Sequence, residues 1–285
     1  MGVHRLSRGY VSKVLKEFGS TEQIPKNALK TGYHDLDCNI GGLLPGKLYL
    51  IGAQPGVGKS TFVYNLMLKL GVEKGEPVLL YSLGTSADIV VRRLTATLAK
   101  VNFNKAWKGT LDCMDIQRVA KAEKKLSDRK IFIDDTPYCN IEELISSAEK
   151  AAGNEPIKVI FIDHLQLLSE ERDSDHHQLD MAKEFYAMKK MAEKHGIAIV
   201  ILSQLSKRFE FWEDKCPKIQ EFKISTETLD QVGDVIGLYR DDYYNSESEM
   251  KGIMDLYILK NCQGACGVVQ LVFSNDHLGI YGLKR

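Results

Sequence analysis

Two periods of apolar residues alternate along this chain, and their alternation predicts its architecture. Short, nearly continuous apolar runs at 77–83, 130–133, 157–163 and 197–203, with Leu48, Leu50 and Ile51 before them, read as strands buried on both faces. Between them the period lengthens to that of a helix. Phe62, Leu66 and Leu70 share one face, as do Phe185, Met188 and Ala192 in a helix over 179–195. Further helices are expected over 87–98, 115–126 and 141–152. At the front, Val11, Val14, Leu15 and Phe18 form an apolar stripe that Gly19 can stop. A lone helix of this length is marginal in water, so the stripe wants a surface on its own domain or on a neighbouring subunit. The polar stretch 20–30 with Pro25 suits a linker, and 31–46 reads as a short turn followed by a glycine hinge. After residue 234 the helical pattern stops. Runs at 234–239, 253–259 and 268–273 look like added antiparallel strands. The expectation is an α/β fold with a mainly parallel central sheet flanked by helices, and antiparallel strands added at its C-terminal end.

Composition changes this picture little. The chain has 285 residues, 44% of them hydrophobic and 27% charged, enough for one large α/β domain or two small ones. Lys and Arg number 38 and Asp and Glu also 38, so net charge is silent about a polyanionic partner. No run of 18 apolar residues argues for a membrane span, and residues 1–10 lack the apolar core of a signal peptide. The six cysteines are scattered, with Cys262 and Cys266 the only close pair, and they read as reduced thiols of a cytoplasmic protein.

Candidate chemistry centres on residues 47–61. Leu48, Leu50 and Ile51 read as a buried strand, which Gln54, Pro55, Gly56, Val57 and Gly58 cannot continue. Lys59, Ser60 and Thr61 then open a helix. Strand, glycine-rich turn and Lys-Ser at a helix start form the P-loop arrangement, with Ala53 where the usual pattern has glycine. Backbone N–H groups of the turn and the helix N-terminus make an anion site. Lys59 would reach terminal phosphates and the Ser60 hydroxyl would hold Mg²⁺. Asp163 ends an apolar strand about 100 residues later, where P-loop NTPases carry a Mg²⁺-binding carboxylate. Gln204 ends the next strand, at the position to sense a γ-phosphate or hold an attacking water.

In this order, Thr31-Gly-Tyr-x-x-Leu-Asp37, the Ala53–Ser60 loop, Tyr81-Ser-Leu83, Ile133-Asp-Asp-Thr-Pro137, Ile162-Asp-His-Leu-Gln-Leu167, Leu202-Ser-Gln-Leu-Ser206 and Tyr239-Arg-Asp-Asp-Tyr-Tyr-Asn245 resemble the RecA-like ATPase domain of DnaB-type replicative helicases. The resemblance runs from about residue 20 to the end. It implies a linker helix and linker over 1–30 and a RecA-like P-loop ATPase domain over 31–285. It implies ATP and Mg²⁺ as cofactors, single-stranded DNA and other replication proteins as partners, and a homo-oligomer, a hexameric ring. It also implies Arg93 and Arg240 beside the nucleotide, Lys260 as a charge at the γ-phosphate, and Lys207, Arg208, Lys215, Lys218 and Lys223 on a DNA-facing loop. The family's separate N-terminal domain is not within these residues.

The resemblance breaks at informative places. Gly84 stands where the family has a Glu that activates water, and Cys262 where it has an arginine finger that crosses the subunit interface. Residues 170–175 are acidic where a DNA loop should be basic, with His176 and His177 following. The function expected is an ATP-binding helicase domain that couples hydrolysis to translocation on DNA and unwinding. The alternative is a degenerate homologue, a pseudo-ATPase that binds ATP and docks on or regulates a helicase. A RecA- or KaiC-like ATPase outside the helicases shares the P-loop and Asp163 but leaves 239–245 unexplained.

Overall fold

The computed structural model of the chain describes residues 24–138, 140–164, 175–205 and 215–283. Among these, nine strands form one sheet: β1 (Leu48–Ala53), β2 (Val78–Ser82), β3 (Ile131–Asp134), β4 (Val159–Asp163), β5 (Ala198–Gln204), β6 (Val232–Tyr239), β7 (Ile253–Lys260), β8 (Gly267–Phe273) and β9 (Ile280–Gly282). Their order is β3-β2-β4-β5-β1-β6-β7-β8-β9. The first six run parallel and the last three are added antiparallel. The helices are α1 (His34–Ile40), α2 (Lys59–Met67), α3 (Ala87–Ala99), α4 (Phe103–Lys108), α5 (Cys113–Ser127), α6 (Ile141–Asn154), α7 (Asp175–His195), α8 (Thr226–Gln231) and α9 (Asp241–Tyr244). A π-helical turn, Leu68–Glu73, continues α2.

Strands β1, β2, β4 and β5 are buried nearly throughout because both faces are covered, whereas β3 at the sheet edge is half-buried, and successive side chains serve opposite cores. Tyr49, Ile51 and Ala53 of β1 join Phe62, Val63 and Leu66 of α2. Leu48 and Leu50 join Phe185, Met188 and Ala192 of α7, with Leu144 and Ala148 of α6. Beyond the parallel part the burial changes. In β7 buried and half-buried residues alternate, which is the pattern of a strand covered on one face. Helix starts are set locally: Asp112 and Asn140 cap α5 and α6, accepting from Asp115 N and Glu143 N. At α3 the cap comes from another strand, where the Asp135 carboxylate after β3 accepts from Ala87 N at 2.7 Å.

Two expectations need correction. The run near 234–239 is not an added antiparallel strand: β6 pairs with β1 in parallel, Leu50 opposite Val235 and Ile51 opposite Ile236. The connection from β5 carries the short helix α8, and such a crossover returns the chain in the same direction. Within 31–46, the expected turn contains α1, started by a local clasp in which Asp37 accepts from Thr31 N and Gly32 N. Gly41, left-handed at φ 68°, ends it. The short elements α4, α8, α9 and β9 fall below the length at which periodicity is legible. The apolar stripe of Val11, Val14, Leu15 and Phe18 lies outside the described residues.

Gly52 in β1 shows how tightly the strand is covered. A Cβ there would stand 2.3 Å from the Phe222 ring and 2.8 Å from Leu205. Gly52→Ala is expected to destabilise the fold by about 1–3 kcal/mol through overpacking, read as a lowered midpoint in thermal unfolding.

Candidate active site

The C-terminal ends of the parallel strands meet on one edge of the sheet, where a crevice forms in such folds. Register places the groups: Ala53 of β1 lies opposite Gln204 of β5, and Ser82 of β2 opposite Asp163 of β4. The loop after β1 turns through Gly56 at φ 80° and Gly58 at φ 120°, values that favour glycine, and Phe62 N to Gly58 O at 2.9 Å begins α2. Space demands the same residues. A Cβ on Gly56 would meet the Tyr243 hydroxyl at 2.5 Å, and one on Gly58 would meet Met254 and Phe273 at 3.1 and 3.2 Å.

Lys59 folds back over this loop, donating to Ala53 O at 2.8 Å and Gln54 O at 3.2 Å. Burial lowers its pKa to about 8, against the opposing pull of the Asp163 carboxylate. His164 is also held down by burial; Asp163 opposes that shift and Lys59 adds to it. Lys59, Asp163 and His164 therefore share one field. Asp163 is 8% exposed. With the Ser60 hydroxyl it offers hard oxygen donors, the set that suits Mg²⁺. Arg93 on α3 lies 5.8 Å from the Phe103 ring. Gly84 is exposed, two residues beyond the Ser82 that faces Asp163.

The Lys59 shift carries a sign. Its folded value of about 8 lies below the ordinary 10.5, so between these the unfolded chain holds more protons and stability from this group rises with pH. A phosphate beside Lys59 reverses the shift. Nucleotide binding is thus expected to take up a proton above about pH 8 and to weaken as pH climbs further. Calorimetric titrations in two buffers of different ionisation heat measure that proton.

Other expected site residues sit apart. The Arg240 guanidinium is bound to Asp242 at 3.1 and 3.2 Å and to Asn275 at 3.1 Å, and it lies 3.9 Å from the Phe273 ring centre. It anchors α9, which carries Tyr243 to Gly56. Lys260 and Cys262 lie at the opposite end of the sheet, since β7 runs antiparallel and Lys260 pairs with Val235. That end is about 16 Å from the P-loop along β1. Lys260 donates to Leu229 O and, at 2.8 Å, to Val232 O. Lys47 reaches Cys262 Sγ at 2.7 Å, and Cys262 N donates to the buried Asp234. Lys215, Lys218 and Lys223 lie around a 3₁₀ turn, Ile219–Phe222. Lys207 and Arg208 lie outside the described residues, as does the acidic stretch 170–174. Tyr64, Tyr243 and His164 join the site unanticipated. His164 follows Asp163 directly, whereas Tyr64 and Tyr243 come from helices whose facing the sequence does not settle.

A glycine-rich loop between a buried strand and a helix, with an acid-ended strand two places away in a parallel sheet, defines a P-loop NTPase of RecA-like fold. Comparison with known proteins gives the family. The DnaB-like helicase C terminal domain matches residues 28–280, and the chain belongs to this family of replicative-helicase ATPase domains. It is 30% identical over 259 residues to the replicative DNA helicase DnaB of Geobacillus stearothermophilus, covering 90% of this chain and 57% of that one. It is 32% identical over 252 residues to the DnaB of Buchnera aphidicola subsp. Baizongia pistaciae, 87% of this chain and 54% of that one. The chain thus spans a little over half the length of these relatives. Among solved structures, an isolated ATPase domain superposes with a TM-score of 0.87 at 25% identity, over 99% of this chain and all of that one. A DnaB-like replicative helicase solved in a study of its interactions with primase gives 0.88 at 26% identity, over 99% of this chain and 68% of that one. The RadB recombinase, with a TM-score of 0.58 at 16% identity, shares the fold alone.

Proposed function

We propose that this chain is the ATP-binding motor domain of a replicative DNA helicase, working with further copies of itself in a ring around single-stranded DNA. The observation that carries the reading is the P-loop with Lys59 and Asp163 in one field at the strand ends. The loop's N–H groups and the α2 N-terminus would hold the phosphates, Lys59 the terminal ones, and Ser60 and Asp163 a Mg²⁺ ion that neutralises their charge. Gln204, beside the loop, would sense the γ-phosphate, and Arg93 would add positive charge in the same subunit. Lys260 and the position of Cys262 are too far along the sheet to serve this subunit's own nucleotide, so any role for them lies at a neighbour's. Lys207, Arg208, Lys215, Lys218 and Lys223 would face DNA, and contacts with other replication proteins would complete the machine.

A second reading has specific support. Gly84 offers no carboxylate, Cys262 no guanidinium, and Lys260 is tied to two carbonyls of its own chain. A nucleotide-binding partner of a helicase, without motor activity, needs none of the three. Steady-state ATP hydrolysis by the purified chain, with and without single-stranded DNA, and light scattering for mass separate the two. The motor reading expects a ring and DNA-stimulated turnover. A chain that binds ATP yet turns over no faster with DNA belongs to the second reading.

A further inference from the structure

Tyr64 lies on α2, one turn beyond Ser60, so the two share a helix face. Long helical side chains lean back toward the N-terminus, which brings the tyrosine ring toward the end of α2 where the P-loop sits. The residue is 2% exposed, and its buried hydroxyl finds no acceptor for its proton among the described residues. A buried hydroxyl left unpaired is costly, and folded chains rarely keep one without a use for it.

A second orphan stands beside it. Arg93 Nε is also buried without a partner among the described residues, and its guanidinium lies close enough to the Tyr64 hydroxyl oxygen to act on it as a donor. Arg93 reaches this place from α3, a different helix. The Asp163 carboxylate is within electrostatic range of the same hydroxyl. Burial, with Asp163 adding to it and Arg93 opposing, pushes the phenol up to about 12, so it stays a donor near neutrality. A hydroxyl proton and a guanidinium N–H, both buried and without an acceptor among the described residues, ask for an acceptor-rich anion.

We propose that the Tyr64 hydroxyl is a ligand-binding group of this site, donating to a terminal-phosphate oxygen of a bound nucleoside triphosphate beside Arg93. The inference rests on the nucleotide-binding reading above and adds to it a contact within the subunit that senses the third phosphate. A diphosphate lacks the group that Tyr64 would touch, so the contact discriminates triphosphate from diphosphate.

The test is the full chain with Tyr64→Phe, which removes one oxygen and leaves the ring in place. A non-hydrolysable ATP analogue and ADP are titrated into wild type, Tyr64→Phe and Lys59→Ala, each with Mg²⁺, and the thermal midpoint of each protein is recorded. The expected result is a loss of about tenfold in affinity for the ATP analogue with ADP changed less than about twofold. Unchanged affinity for both ligands, with an equal or higher thermal midpoint, would mean an internal orphan or a bridged water and overturn the proposal. Equal losses for both ligands would overturn the terminal-phosphate assignment. If Lys59→Ala leaves both affinities intact, or wild type binds neither ligand, the nucleotide reading itself fails and the inference falls with it.

Discussion

Lys59→Ala is expected to cost about a hundredfold in ATP affinity. Among the described residues, its ammonium is the side-chain cation lodged within the loop, where it spans Ala53 O and Gln54 O. It is buried enough for its pKa to fall to about 8, so solvent screens it poorly. A charge-assisted hydrogen bond to phosphate is worth about 1.5–3 kcal/mol, and a lysine at the terminal phosphates makes more than one. Two such bonds reach the hundredfold range. The substitution also frees two carbonyls that shape the loop, so the backbone nest loses order along with charge. Folding should survive, because α2 is fastened by Phe62, Val63 and Leu66 in the core. Titration of a fluorescent ATP analogue, with circular dichroism as the folding control, measures both. Equal affinity in wild type and variant would remove the site from this loop.

Restoring a carboxylate and a guanidinium together, Gly84→Glu with Cys262→Arg, is expected to raise DNA-stimulated turnover far more than either change alone. Gly84 sits just past β2, two residues beyond the Ser82 that pairs with Asp163, and under the motor reading a carboxylate there would activate the attacking water. Cys262 sits at the other end of the sheet. The two repairs therefore act on one nucleotide only when neighbouring subunits meet, one supplying residue 84 and the other residue 262. A general base contributes about 10²–10⁴ in rate and an arginine finger about 10³–10⁵. Groups acting on one transition state are not additive, since the finger helps only once water is activated. Lys47, now at Cys262 Sγ, would have to make way for the new arginine. The comparison is steady-state turnover of the parent, both single variants and the double variant at saturating ATP, with oligomeric mass held constant. Turnover of roughly 1 s⁻¹ or more in the parent, with no gain from either repair, would show that another residue fills these roles.

The contrast between Lys59 and Lys260 shows how unevenly the sequence reports on its own chemistry. Lys59 was legible because its neighbours in the chain build its surroundings: a strand, two glycines with positive φ and a helix start, all within a dozen residues. Asp163 and Gln204 were legible for a related reason, since a strand buried on both faces reads as an apolar run and its end announces itself. Lys260 looks in sequence like an ammonium free to act. Only the packing of β7 against β6 reveals that the carbonyls of Leu229 in α8 and of Val232 just after it hold it. Arg240 behaves alike, committed to Asp242, Asn275 and the face of Phe273 rather than left open.

By itself the sequence determined the alternation of buried strands and helices, the P-loop and the acid and glutamine at two strand ends. Each of these depends on backbone period or on neighbours within a few residues, which are local quantities. The tertiary structure alone decided the direction of β6, because parallel or antiparallel pairing depends on where the crossover returns the chain and not on the strand's composition. It alone decided that Tyr64 and Arg93, from different helices, come together in the electrostatic field of Asp163. And it alone set Cys262 at the sheet end away from the P-loop, since a strand's distance from a site follows from register, and register is fixed by partners remote in the chain.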